Sequence, residues 1–398
     1  MRPAVVSLHR WIGLTMAGFL IVLGLTGGTL AFRPQLDRLL APEIFVGPHG
    51  ATLDLASLLR RAEAVDPRGR VSSISLRYPG TAAIAMEPIS EDKPLDYDTL
   101  YLDDVTGAEL GRIQQGRWPR QSAEVLPFIY ALHYQLAAGD VGAWILGLVA
   151  LVWTVNCFVG FYLSLPGAGR SSSLGFIGAW KPAWLVKRGA SVYRTILDMH
   201  RATALWLWGP LLIFAWSGVY MDLNGVYSRV TGLLLDYEQA AWARPPLQHL
   251  DANHTTLEWS AAFETGQRLM EQQAREQNFT IERPVAFYFM PDKGLYEYIV
   301  RSSRDIGDSR GRTTIDFDAH DGSLKFVSLP TGQRSGETLT TILMELHMAN
   351  IFGLAYKLFV AVFALSIITI SVTGIFIWAI KRHTRNSHKS TKPSTHFR

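Results

Sequence analysis

Leu8-His9-Arg10-Trp11-Ile12-Gly13-Leu14 leads into a run without a charged residue that lasts to Phe32. A histidine and an arginine therefore stand directly before an apolar stretch of the length that crosses a bilayer, about 20 residues for a hydrocarbon core of roughly 30 Å. The arrangement returns as Met199-His200-Arg201-Ala202-Thr203-Ala204-Leu205, again ahead of an apolar run. At a constant offset of 191, His9 meets His200, Arg10 meets Arg201, Leu14 meets Leu205, Gly18 meets Gly209 and Gly27 meets Gly218.

Four runs lack any charge: Trp11 to Phe32, Val141 to Gly169, Ala202 to Met221 and Leu358 to Ile380. One such run fits a buried helix of a soluble protein. Four, flanked by Trp, Tyr and basic residues, predict four transmembrane helices. The intervening segments alternate in charge. Met1 to Arg10, Arg170 to Arg201 and Lys381 to Arg398 together hold 14 basic residues and one acid, Asp198. Arg33 to Asp140 holds 11 basic and 15 acidic residues, and Asp222 to Glu345 holds 12 and 18. The excess of Lys and Arg puts both termini and the central linker in the cytoplasm and the two long segments outside. The overall charge of +4 is thus a sum of opposites and does not point to nucleic acid.

The first run has the look of a signal peptide. It exceeds an ordinary h-region, shows no small-residue cleavage site and matches residues 199–218, so it is expected to stay. The single cysteine, Cys157, lies within the second run, which leaves the outer segments without disulfides. A second repeat, at offset 214, matches Leu132-His133-Tyr134 to Leu346-His347-Met348, Gly139 to Gly353 and Gly160 to Gly374. The fold class expected is therefore an α-helical membrane bundle of four helices, N-in and C-in, with two outer α+β domains, built as an internal duplication. Its parts are helix 1 at 8–32, outer domain 1 at 33–131, helix 2 with an interfacial segment at 132–165 and a cytoplasmic linker at 166–198. Helix 3 at 199–221, outer domain 2 at 222–345, helix 4 with its interfacial segment at 346–380 and a disordered cytoplasmic tail at 381–398 follow. Each outer domain reads as one helix (Leu53 to Val65; Leu257 to Gln277) on antiparallel strands, with turns at Asp103-Asp104-Val105-Thr106-Gly107 and Asp318-Ala319-His320-Asp321-Gly322.

Of eleven histidines, four stand at ends of apolar runs in repeat-related positions. His9 and His200 fall at the cytoplasmic ends of two helices, His133 and His347 near the outer ends of two others. Two neutral imidazoles from facing helices are what a non-covalent b-type haem needs, so the four predict two haem b groups, each bound by two histidines through iron. No Cys-x-x-Cys-His is present for covalent attachment. A single interfacial histidine more often faces headgroups, and zinc or copper is the competing metal; those metals favour carboxylate or thiolate neighbours, which the cytoplasmic pair lacks within its helix turn. Arg10 and Arg201 are candidates for haem propionates as well as ordinary positive flanks. Gly13, Ala17, Gly24 and Gly28 form a small-residue stripe suited to a flat macrocycle or to helix packing. Trp153, Trp206, Trp208 and Trp216 fit core packing better than an electron path. His49, His249, His254, His320, His383, His388 and His396 read as solvated, and Asp316, Asp318 and Asp321 lack the spacing of a calcium loop. Asn253-His254-Thr255 and Asn278-Phe279-Thr280 are chance-level sequons. No Gly-x-G-x-x-Gly nucleotide motif follows a strand, so electrons must come from another protein or a membrane carrier.

Leu8-His9-Arg10-Trp11-Ile12-Gly13-Leu14, Leu132-His133-Tyr134-Gln135-Leu136 with Gly139-Asp140-Val141-Gly142, Met199-His200-Arg201 and Leu346-His347 resemble the PepSY-associated transmembrane proteins over nearly the whole chain. Asp103 to Gly107 is similar to the end of a PepSY module; the second hairpin has one residue more. The family includes bacterial inner-membrane siderophore reductases of the ferrioxamine type. The resemblance implies an oxidoreductase that uses two haems to reduce a ferric siderophore in the periplasm, releasing Fe(II) for uptake. The family's haem histidines fall on His9, His133, His200 and His347; no catalytic residue is assigned. The outer segments carry a net charge of −10, which favours a neutral or cationic siderophore of the hydroxamate type. The alternative is a non-redox PepSY protein that binds or regulates a periplasmic peptidase or another partner.

Overall fold

The computed structural model describes residues 2–90, 92–167, 175–244 and 256–390. In chain order it begins with α1 (Arg2–Leu30), α2 (Arg33–Leu40) and α3 (Leu55–Val65), followed by β1 (Gly69–Tyr78), β2 (Thr81–Pro88), β3 (Thr99–Asp103) and β4 (Glu109–Ile113). Helices α4 (Val125–Gln135), α5 (Gly139–Ser164) and α6 (Gly175–Trp180) come next. The second half runs α7 (Val192–Trp206), α8 (Trp208–Asp222), α9 (Asn224–Leu234) and α10 (Trp259–Glu276), then β5 (Ile281–Met290), β6 (Leu295–Ser302), β7 (Thr313–Asp318) and β8 (Leu324–Ser328). Helices α11 (Ser335–His347) and α12 (Gly353–Ser390) complete it.

The chain forms two compact units, one of Met1–Ala31, His133–Leu223 and Leu358–Arg398, the other of Phe32–Leu132 and Asn224–Lys357. The first is a helical bundle. Helices α1, α5 and α12 are each long and apolar enough to cross a membrane. Side chains such as Trp144, Val362 and Leu365 are more than 60% exposed on them, as expected of surfaces solvated by lipid. The protein is a membrane protein.

The third apolar run departs from the straight helix expected at 199–221. It is a broken pair, α7 and α8, bent by 69°. Pro210 explains the break: it has no N–H to give, and its ring clashes with the carbonyl four residues back. That residue is Trp206, where α7 ends. By length and composition the spans among the described residues number three, or four if the bent pair counts as one. The expected disordered tail differs too, since α12 continues through it to Ser390; Lys381 to Ser390 contains neither Gly nor Pro to stop a helix. Residues 391–398 of that tail, 168–174 of the linker, and His249 and Asn253-His254-Thr255 lie outside the described residues.

The second unit corrects the picture of two separate outer domains. Its eight strands form one antiparallel sheet in the order β4-β3-β2-β1-β5-β6-β7-β8. Strands β1 and β5 pair through Ser73–Tyr288, Ile74–Phe287 and Ser75–Ala286. Each four-stranded half would otherwise leave β1 or β5 as an edge with unmade hydrogen bonds, and joining the halves satisfies both. Helices α3 and α10 cover one face. Leu58 and Ala62 from α3 and Ala262 and Met270 from α10 meet Ile74, Ile84, Leu100, Phe287, Ile315 and Phe317 from the strands, all of them fully buried. Alternate positions along β2, β3, β6 and β7 supply most of this core, as the pleat requires. A smaller apolar cluster, including Ile44, Phe45 and Tyr101, lies against the other face of the first half.

Both hairpin turns are built by an aspartate. Asp103 Oδ1 accepts the N–H groups of Val105 and Thr106, and Asp318 Oδ1 accepts those of His320 and Asp321. Gly107 and Gly322 follow at φ of +71°, a conformation that favours glycine. These carboxylates serve the turns.

Candidate functional site

The first unit brings His9 of α1 and His200 of α7 next to each other. Their ring centroids are 6.3 Å apart and the ring planes are 75° apart. Two imidazoles that ligate one iron at about 2 Å each, on opposite sides, place their ring centroids roughly 6 Å apart. The separation therefore fits a single iron between them.

Each ring is held the same way. His9 Nδ1 donates to the Asn156 side-chain oxygen at 2.8 Å. His200 Nδ1 lies 2.9 Å from the Ile370 carbonyl oxygen, with Thr373 Oγ1 at 3.2 Å. A carbonyl only accepts, so the His200 proton sits on Nδ1 and the lone pair on Nε2. That is the tautomer a metal needs, with the outer nitrogen bonded to a supporting group. On the opposite edge, Cβ positions built on Gly160 and Gly374 each fall 3.3 Å from Cε1, of His9 and His200 respectively. Both imidazoles thus pack on bare backbone. Asn156 and Gly160 are one turn apart on α5, as Ile370 and Gly374 are on α12, so one helix face positions each ring.

His133 is in the last turn of α4. Its Nδ1 lies 2.8 Å from Thr26 Oγ1, and that hydroxyl gives its own proton to Val22 O at 2.7 Å. Thr26 must then accept from His133, which places the lone pair on Nε2 here too. His347 closes α11 in the second unit and is half-buried. Five non-glycine residues among those described have positive φ, and four (Leu136, Ala137, Ala349 and Phe352) lie in the connections directly after His133 and His347. Backbone held in a sparsely populated region concentrates at functional sites.

The two arginines have unlike settings. Arg10 is exposed, donates to Ser7 Oγ and lies 5.3 Å from the Trp11 ring. Arg201 donates to Asp198 Oδ1 and Pro182 O, each at 2.8 Å, and the fully buried Asp198 also takes Arg194 Nε at 2.9 Å. The small-residue stripe turns out to serve helix packing at Gly24 and Gly28, which meet Ala364 and Ile368 of α12. Trp153 packs in the bundle core, and Trp208 donates its indole N–H to Cys157 O. Among the described residues no three His, Cys, Asp or Glu side chains converge to hold a metal ion; the His9–His200 arrangement is a two-ligand one.

Asn156 and Thr26 escaped the reading of the sequence. Both are polar residues inside uncharged runs, where a polar side chain must find a partner, and that was the signal. In the second unit, Glu297 and Asp316 stand directly opposite across β6 and β7. Burial pushes Glu297 up to about 7 and Asp316 well above the usual carboxylate range, and among the described residues nothing donates a hydrogen bond to Asp316 Oδ1. His49 is exposed, as expected of a solvated residue, and pairs with Asp103 Oδ2 at 2.9 Å.

The profile of a family described as the PepSY-associated TM region matches residues 6–381. No curated protein matches the chain.

Proposed function

The chain belongs to the PepSY-associated transmembrane family, and from that premise we propose that it is a di-haem b membrane reductase. In this reading it passes electrons from the cytoplasmic side of a bacterial inner membrane to a ferric siderophore in the periplasm, which frees Fe(II) for uptake. The observation that carries the proposal is the opposed pair His9 and His200, 6.3 Å apart between ring centroids. Haem held between two imidazoles supplies one-electron transfer.

The chain's own contribution is to hold and orient. His9 and His200 ligate the inner haem; Asn156 and the Ile370 carbonyl keep both protons on Nδ1; Gly160 and Gly374 let the rings lie against the helices. His133 and His347 are the ligands of the second, outer haem, a pairing that rests on their repeat in the sequence, and Thr26 orients His133. The excess of basic residues at both termini and in the linker supports the N-in, C-in orientation with periplasmic loops. Iron(II) is held weakly by hydroxamate or catecholate oxygens, so delivery of one electron loosens the chelate. The net −10 of the outer segments supports a neutral or cationic hydroxamate as substrate. The electron donor is a cytoplasmic protein or a membrane carrier.

A second reading is a non-redox membrane protein whose sheet binds or regulates a periplasmic peptidase or other partner. It is favoured by the outer sides of β4 and β8, which end the sheet and are templates for an added strand. Purification in detergent from haem-sufficient cells separates the two. The redox reading expects a red protein with a sharp α-band on dithionite reduction, about half of which is lost in His200→Ala. A colourless preparation overturns it in favour of the second.

A further inference from the structure

We propose that Asn156 is a positioning residue that sets the ferric/ferrous balance of the haem held by His9 and His200, an inference that rests on the reading of that pair as haem ligands. It stands in the uncharged run of α5, half-buried, with its side-chain oxygen 2.8 Å from His9 Nδ1. An amide among membrane helices is costly to bury without a partner. The partner it has is the ligand.

The position 214 residues later shows that this is a choice. There the residue is Ile370, and the bond from His200 Nδ1 goes to its main-chain carbonyl at 2.9 Å. That oxygen can accept a second hydrogen bond through its other lone pair. On α12 an apolar residue therefore suffices, and on α5 a polar side chain does the same work. The rest of the geometry agrees on the two sides, down to the glycine one turn on, where an added Cβ would stand 3.3 Å from each Cε1. His200 is thus supported by a bond that no substitution of Ile370 removes, and His9 by a bond that depends on one side chain.

The consequence has a sign. Donation from Nδ1–H to an acceptor gives the imidazole more anionic character and makes Nε2 a stronger donor to iron. A stronger donor favours Fe(III), which lowers the midpoint potential. Asn156→Leu removes the acceptor and raises it; Asn156→Asp, which keeps an oxygen there and adds negative charge, lowers it. Thr373→Val leaves the Ile370 carbonyl in place and changes little.

The test is a spectroelectrochemical titration of the full-length protein in detergent. The inner component is identified as the one lost in His200→Ala. Asn156→Leu is expected to shift its ferric/ferrous ratio about tenfold toward the ferrous form, roughly 59 mV for one electron, and Thr373→Val less than threefold. Asn156→Asp is expected to shift it the other way. Should Asn156→Leu fail to load haem, the downward shift in Asn156→Asp decides. Haem-loaded variants whose inner component stays within threefold of wild type overturn the assignment alone. A wild-type protein without haem overturns the reading of the pair and this assignment with it.

Discussion

Gly27 of α1 lies against the Cε1 edge of His133, so close that a methyl group on its Cα would stand 2.9 Å from that carbon. The neighbouring Thr26 holds Nδ1 of the same ring, so the imidazole has little room to retreat. Gly27→Ala should therefore destabilise the first unit by about 1–3 kcal/mol, the usual cost of overpacking, and lower haem content in step. Gly18, on the same helix, has open space at its Cβ position; Gly18→Ala should be neutral or stabilising by up to about 1 kcal/mol. Thermal unfolding of the two variants in detergent checks this, and equal stabilities would refute the packing argument.

Asp198 is the one acid in the basic segments of the sequence. It is completely buried and paired with Arg194 and Arg201. Without that carboxylate both guanidinium groups lose their counter-ion, and Arg201, 28% exposed, loses a charged acceptor at a cost of about 1–3 kcal/mol. Asp198→Asn should reduce accumulation of the protein and its melting temperature sharply. Arg194→Gln, at the more exposed partner, should have a far smaller effect. A mild Asp198→Asn phenotype would count against a structural role for the network.

Glu297 and Asp316 predict a pH dependence of the second unit. Their folded pKa values are raised by burial, Glu297 to about 7. A carboxyl whose folded pKa lies above its unfolded value of about 4 costs nothing below that value. Its cost grows as pH rises toward the folded pKa and then stays constant. Glu297→Gln with Asp316→Asn should therefore raise the melting temperature at pH 8, by about 2–4 °C for each kcal/mol relieved, and change little near pH 4. A gain that is larger at pH 4 than at pH 8 would contradict the sign.

Pro210 interrupts the ladder at Trp206, and replacing it restores a donor for that carbonyl. Pro210→Ala should let α7 and α8 straighten. Spin labels at Val192 and Asp222, the two ends, should then move apart by several ångströms, since a straight helix of that span is about 46 Å long. His200 rides on α7, so haem content should fall with the straightening. An unchanged distance would show that packing, and not the proline, keeps the bend.

Much of this was legible in the chain. Absence of charge marked α1, α5 and α12 because the hydrocarbon core tolerates little else. Alternation and the turn residues at Asp103 to Gly107 and Asp318 to Gly322 marked antiparallel strands in both outer segments. The break at Trp206 was missed because a count of charges is blind to Gly209-Pro210 inside an apolar run. The joining of β1 to β5 was missed because alternation tells which face of a strand is buried and nothing about which edge meets which. Among the site residues, the spacing singled out His9, His200, His133 and His347 and paired Gly160 with Gly374, whereas Asn156, Thr26 and what the two glycines touch emerged only in the folded chain. Their roles depend on which helix faces which, and that is a tertiary fact.

The seam between Ser73 and Tyr288 has a consequence for biogenesis. When β1 leaves the ribosome, its partner lies more than 200 residues away, beyond two of the apolar runs. At about 5–20 residues per second, the first half-sheet waits on the order of 10–40 s with one side unmade. Over that interval it is a strand acceptor open to any chain that reaches it. A truncated product ending before Ile281 would keep that exposed edge for good, so nonsense alleles of this protein should yield sticky, chaperone-bound fragments instead of a functional half-molecule.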